Sequence, residues 1–118
     1  MRLAAIDIGT NSVHMIVVRV RPDFSFEVID REKEMVRLGS GGGDMKLLAP
    51  EAIERAVGAL ARMIGVAASY GADVTAVATS AVREAENRDE LVVRVQRELG
   101  LSIEVISGLE EARLIFQG

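Results

Sequence analysis

The chain has 118 residues, of which 49% are hydrophobic and 3% aromatic, and its formal net charge is −4 at pH 7. This length suits one domain with a hydrophobic core, and the hydrophobic content is too high for a disordered chain. The acidic balance and scarce aromatic side chains disfavour nucleic acid as a partner, because nucleic-acid binding needs a basic surface and stacking rings.

The rare residue types exclude several kinds of site. The chain contains no cysteine, so disulfides and thiolate metal sites are excluded, and its single histidine leaves little room for a histidine-based zinc site. The N-terminus has no apolar signal segment, and no apolar run is long enough to span a membrane. We therefore expect a soluble, cytoplasmic protein with no membrane partner.

The first half of the chain predicts three strands. The apolar run Leu3–Ile6 and the β-branched run Ser12–Val20 predict two strands, the second one buried on both faces. His14 interrupts the second run, and such a ring is more often a hydrogen-bonded core residue than a ligand. A third strand is predicted from Phe24, with Phe24, Phe26 and Val28 on one face. The charged run Asp30–Glu34 is interpreted as that strand emerging into solvent, before Met35–Leu38 returns it to the core. The residues from Gly39 to Asp44 predict a flexible loop.

The second half of the chain alternates helices and strands. Pro50 is suited to the first position of a helix, and apolar residues at helical spacing continue that helix to about Ser69. A short fourth strand is predicted at Val74–Ala78, a helix at Leu91–Leu99 and a fifth strand at Ile103–Ile106. A final helix is predicted from about Ser107 to the end of the chain. Asn87 with Glu90 three residues later predicts a capping box for the helix that Gly100 closes.

This order of elements predicts an α/β fold with one mixed, five-stranded sheet, in which a three-strand meander precedes βα crossovers. The pattern resembles the ribonuclease-H-like half-domain of the actin/hexokinase/Hsp70 superfamily. Periodicity alone predicts only the mixed sheet.

The turn between the first two strands carries polar groups that suit a phosphate. Gly9 allows a close approach of the backbone, and Thr10, Asn11 and Ser12 offer hydroxyls, an amide and backbone N–H groups. Asp7 at the end of the first strand would repel a phosphate, which suggests a divalent cation between the two, or a water to be oriented. The alternative is an ordinary β-hairpin with a polar turn.

Two later stretches carry further candidate groups. Thr79 and Ser80 lie where a helix is predicted to begin, with Arg83 one turn later, and helix N-termini and arginines both bind anions. The alternative is a simple helix cap beside a solvated arginine. In the last stretch Ser107 and Glu110 have capping-box spacing, which leaves Glu111 and Arg113 either for chemistry on a phosphate or for an exposed helix surface.

Taken together, the stretches Ile6–Ser12, Ala78–Asn87 and Ile106–Phe116 resemble the N-terminal half of the exopolyphosphatase / guanosine pentaphosphate phosphohydrolase family. The resemblance implies that Glu111 is the catalytic base that activates water and that Asp7 helps to hold Mg²⁺ or another divalent cation. It also implies a set of phosphate-binding residues: Gly9, Thr10, Asn11, Ser12, Thr79, Ser80, Arg83 and Arg113. The family often has serine where this chain has Thr10, which keeps the hydroxyl.

The resemblance further implies a hydrolase of the terminal phosphoanhydride bonds of polyphosphate or guanosine pentaphosphate. Members of the family continue into a second lobe that closes the cleft, so we expect residues 1–118 to be the N-terminal lobe, inactive alone, and Gly118 not to be the natural end. The full-length protein is expected to be a homodimer. Two alternatives stay open: a lobe similar to those of sugar or carboxylate kinases, which leaves Glu110–Arg113 unexplained, and a non-catalytic sensor of polyphosphate or guanosine alarmones, which Glu111 disfavours.

Overall fold

The computed structural model describes residues 1–39 and 47–106. Within them the strands are β1 (Arg2–Ile8), β2 (Ser12–Val20), β3 (Phe26–Met35), β4 (Asp73–Ala78) and β5 (Ile103–Val105), and the helices are α1 (Pro50–Ser69), α2 (Ser80–Glu84) and α3 (Arg88–Leu99). The strands form one sheet in the order β3-β2-β1-β4-β5. β2 is antiparallel to β1 and β3, whereas β4 joins β1, and β5 joins β4, in parallel. The predicted mixed sheet is confirmed.

The core lies on one face of this sheet. In β1 the buried residues Ala4, Ile6 and Ile8 alternate with the exposed Ala5 and Asp7, as the two-residue period of a strand requires. β2 alternates in the same way, with Val13, Met15 and Val17 buried. The prediction that β2 is buried on both faces is therefore wrong, because its apolar run alternates between a buried face and a more open one.

Helix α1 covers the buried face and has the predicted bounds. Pro50 occupies its first turn, and Ile53, Val57 and Leu60 are buried in the same cluster as the strands. Although α1 has 20 residues, no helix within the described ranges is apolar enough over sufficient length to cross a bilayer.

Strand β3 begins two residues later than predicted. Phe24 lies in the preceding turn with a φ of 66° and is 87% exposed, so it does not share a strand face with Phe26. The charged run Asp30–Glu34 pairs with β2, and its side chains Arg31 and Lys33 are exposed to solvent as predicted. Ile29 is the extra residue of a bulge opposite Val17 and Val18. Arg62 of α1 forms an ion pair with Glu34 of this strand.

Asn87 precedes α3 as predicted, but its side chain does not cap that helix. Its Oδ1 accepts a hydrogen bond from the backbone N–H of Leu48 at 2.7 Å, and its Nδ2 donates to the Leu48 carbonyl at 3.0 Å. These two hydrogen bonds therefore connect the start of α3 to the segment that precedes α1. The predicted loop beyond Gly39 and the predicted helix from Ser107 lie outside the described residues.

The phenol of Tyr70, the one tyrosine of the chain, donates a hydrogen bond of 2.9 Å to Oδ2 of Asp30. This bond and the nearby negative charge raise the pKa of Tyr70 above the ordinary 10.0. We expect an absorbance titration of the phenolate to show a midpoint above 10.0 in the native chain, and a lower midpoint in Asp30→Asn. Because the pKa of Tyr70 is raised in the folded chain, its hydrogen bond to Asp30 stabilises the fold fully below pH 10. This contribution to the free energy of unfolding is lost as the pH rises through the native midpoint. An unchanged midpoint in Asp30→Asn would contradict this assignment.

Candidate active site

The carboxyl ends of the parallel strands meet at one edge of the sheet. Ile8, Ala78 and Val105 lie side by side in the register of β1, β4 and β5. The backbone N–H of Thr79 donates to the Ile8 carbonyl at 3.2 Å, and that of Ile106 donates to the Ala78 carbonyl at 3.0 Å. The chain that leaves each of these strands therefore remains beside its neighbour at this edge, where open α/β sheets bind ligands.

The turn between β1 and β2 lies at the same edge. The backbone N–H of Gly9 donates to the Ser12 carbonyl at 3.0 Å and closes the turn. A Cβ at position 9 would lie 3.2 Å from that carbonyl oxygen, so glycine permits this close approach. Thr10 and Asn11 are exposed at the tip, in positions that a ligand can reach.

The turn is also held by residues 36–39, which follow β3 and are here called the clamp segment. The N–H groups of Val36 and Arg37 donate to the Asn11 carbonyl at 3.0 and 2.8 Å, and that of Gly39 donates to the Thr10 carbonyl at 3.1 Å. These bonds occupy two carbonyl oxygens of the turn, which would otherwise repel a phosphate. The buried side chains of Val36 and Leu38 anchor the clamp segment in the core.

Arg55 of α1 supports the clamp segment. Its Nε donates to the Val36 carbonyl at 2.8 Å, and its Nη2 lies 3.4 Å from the Arg37 carbonyl. Arg37 itself has a φ of 51°, a left-handed conformation that costs a non-glycine residue about 1 kcal/mol. The backbone of the clamp segment is thus held in an unfavourable conformation by contacts from two sides.

The second candidate stretch follows β4 at this edge. Thr79 is buried, and Ser80 begins the five-residue helix α2, whose short length gives it only a small dipole. Nη1 of Arg83 donates to the Ile106 carbonyl at 3.0 Å, and Nη2 lies 3.5 Å from the Ser80 hydroxyl. Arg83 therefore joins α2 to the end of β5. Since a guanidinium has five N–H donors, these contacts leave donors for a ligand.

Asp7 and His14 lie on the open face of the sheet, opposite each other in β1 and β2. The prediction that His14 is a core residue is wrong: it is exposed, and its Nε2 lies 2.8 Å from the Ser12 hydroxyl oxygen. His14 and β2 were mispredicted for the same reason. The side chain of His14 lies on the face of β2 that the described helices leave open.

The described residues offer few ligands for a cation at this edge. Within residues 1–39 and 47–106, no cluster of three or more histidine, cysteine or acidic side chains could hold a metal ion. Mg²⁺ commonly keeps several waters and binds through one or two carboxylates and the phosphates of a substrate. Asp7, exposed next to the turn, fits that mode of binding and does not fit a closed protein cage.

The structure thus brings most of the predicted site residues to one edge. Asp7, the turn from Gly9 to Ser12, and the stretch from Thr79 to Arg83 converge there. Glu111 and Arg113 lie outside the described residues, so their placement stays a prediction. The predicted return of Met35–Leu38 to the core is confirmed at Val36 and Leu38, which are buried. Sequence reasoning missed the contacts of this segment with the turn and with Arg55.

Comparison with known proteins identifies close similarities. The profile of the Ppx/GppA phosphatase family matches residues 16–118. An exopolyphosphatase from Cytophaga hutchinsonii is 34% identical with a TM-score of 0.94, over 100% of this chain and 38% of that protein. A Ppx/GppA family member from Aquifex aeolicus is 33% identical with a TM-score of 0.89, over 96% of this chain and 37% of that protein. The chain therefore spans less than two-fifths of either structure.

A more distant similarity concerns the fold alone. RuvC from Thermus thermophilus is 17% identical with a TM-score of 0.51, over 91% of this chain and 64% of that protein. The predicted ribonuclease-H-like fold is confirmed by this match together with the strand order.

The contact between the clamp segment and the turn can be tested at Gly39. A Cβ at this position would lie 2.6 Å from Cγ2 of Thr10, so Gly39→Ala must rotate the exposed Thr10 side chain or displace the turn or the clamp segment. We expect it to lower the free energy of unfolding by about 1–3 kcal/mol, as overpacking does, and to shift the amide NMR signals of Thr10 and Asn11. Gly65→Ala in α1, where a Cβ meets nothing within 4 Å, is the matched control and should leave those signals in place. Equal, small effects of both variants would show that the clamp segment does not constrain the turn.

Proposed function

Because the chain belongs to the Ppx/GppA phosphatase family, we propose that its full-length protein hydrolyses terminal phosphoanhydride bonds of inorganic polyphosphate or guanosine pentaphosphate and releases phosphate. The observation that carries this proposal is the convergence of two candidate phosphate-binding stretches at the carboxyl edge of the parallel strands. One of the similar proteins is itself an exopolyphosphatase.

The 118-residue lobe supplies only one side of the proposed site. It spans 38% of the exopolyphosphatase that it resembles, so most of that protein has no counterpart here. A second lobe would cover the exposed turn tip and exclude water from the bound chain. We therefore propose that the isolated lobe has little or no activity.

Binding of the terminal phosphoryl group is assigned to the turn between β1 and β2. The hydroxyls of Thr10 and Ser12 and the amide of Asn11 would donate to its oxygens, since the clamp segment occupies the competing backbone carbonyls. Asp7 would hold Mg²⁺, which when bound neutralises charge on the phosphoryl oxygens. Arg83, with Arg113 in support, would bind the rest of the phosphate chain.

Hydrolysis is assigned to Glu111, on the resemblance of the last stretch to the family. Its carboxylate would accept a proton as the water oxygen attacks the terminal phosphorus in line, and the bridging oxygen would leave with the shortened chain. Ile106 brings the chain to the same edge as the turn, five residues before this glutamate.

The role of Glu111 predicts a specific pattern of lost activity. In the full-length protein with Mg²⁺, Glu111→Gln should lower kcat for phosphate release by about 100-fold or more, the usual contribution of a general base. Binding of the phosphate chain should persist, because the amide keeps the size of the carboxylate. The adjacent Glu110→Gln is the matched control, since glutamine preserves a capping box, and it should keep nearly full activity. Equal activity of the two variants would exclude Glu111 as the base.

A further inference from the structure

The single histidine of the chain is placed directly beside the candidate phosphate turn. His14 is exposed in β2, and its Nε2 lies 2.8 Å from Oγ of Ser12, the last residue of the turn. In the sheet it lies between Asp7 of β1 and Lys33 of β3. The proposed function assigns Ser12 to phosphate binding but gives His14 no role.

The direction of the hydrogen bond decides what Ser12 can do for a ligand. A serine hydroxyl has one proton and two lone pairs, and a neutral imidazole carries its proton on only one nitrogen. If Nε2 of His14 has no proton, Ser12 donates to it and presents only lone pairs, which repel phosphoryl oxygens. If Nε2 carries the proton, Ser12 accepts that bond and its own proton is available to a phosphate.

We propose that His14 is a positioning residue for phosphate binding: its Nε2–H tautomer donates to Ser12 and directs the Ser12 hydroxyl proton to a phosphoryl oxygen. This inference rests on the proposed function, since it deepens the role of the same turn. A phosphoryl oxygen that accepts from Ser12 leaves the Oγ lone pairs to His14, so phosphate and the Nε2–H tautomer stabilise each other. No change in the charge of His14 is required.

Kinetics of the full-length protein distinguish this role from a purely structural one. With polyphosphate and Mg²⁺, His14→Phe should raise KM about two- to tenfold, the loss expected for the neutral hydrogen bond that orients Ser12, with little change in kcat. His14→Gln retains a side-chain N–H donor and should recover most of the affinity. In the Ser12→Ala background His14→Phe should add nothing, because the residue through which it acts is gone.

A matched control tests the exposed face itself. Thr75→Phe places the same ring on the same face of the sheet, in β4 and two register pairs farther from the turn than His14. It should leave KM unchanged. If it raises KM as His14→Phe does, or if His14→Phe acts equally with and without Ser12, the positioning role is overturned.

The tautomer is measured independently of activity. Long-range ¹H–¹⁵N correlation spectra of the full-length protein, with the His14 signals assigned by their loss in His14→Phe, report which nitrogen carries the proton. Addition of inorganic phosphate with Mg²⁺ should increase the Nε2–H form. A persistent Nδ1–H form, or no phosphate-dependent change, overturns the inference. If the wild-type protein releases phosphate from neither polyphosphate nor guanosine pentaphosphate but its His14 tautomer responds to phosphate, the proposed hydrolysis is wrong while the role of His14 stands.

Discussion

The candidate site depends on one set of backbone hydrogen bonds, those from the clamp segment to the turn between β1 and β2. Three N–H groups of residues 36–39 donate to the carbonyls of Thr10 and Asn11. They fix the turn and also withdraw its acceptors from the side where an anion would bind. Arg55 of α1 donates a hydrogen bond to the clamp segment. The conformation of the four-residue turn therefore depends on helix α1 as well as on the sheet. A polar turn of the same composition without this support would adopt several conformations, and ordering it on binding would cost conformational entropy.

The mixed sheet explains why the other candidate groups lie near this turn. Because β1, β4 and β5 are parallel, the segments that follow them leave from the same edge. The antiparallel pairing of β2 and β3 then brings the end of β3, and with it the clamp segment, back to that edge. Arg83, in the segment that follows β4, donates to the Ile106 carbonyl in the segment that follows β5 and so connects the two. Candidate phosphate-binding residues from distant parts of the sequence are thus brought to one edge of the sheet.

Prediction from the sequence succeeded where the determinants are local. Proline at the first turn of α1 and glycine after α3, at φ 67°, mark helix ends wherever the rest of the chain lies. It failed where the outcome depends on tertiary pairing. The apolar run of β2 indicated two buried faces, yet one face is open among the described residues and presents His14. Gly39 lies against Thr10, although the two residues are 29 positions apart in the sequence. The sequence therefore assigns Gly39 to a flexible loop, whereas the folded chain constrains it.

The central claim is that this turn, with Asp7 beside it, holds the terminal phosphoryl group. A crystal structure of the full-length protein with Mg²⁺ and a non-hydrolysable polyphosphate analogue tests that claim most directly. The account predicts phosphoryl oxygens within hydrogen-bond distance of Thr10, Asn11 and Ser12, and the cation between the phosphate and the Asp7 carboxylate. An analogue bound elsewhere, with the turn contacting only solvent, would contradict it.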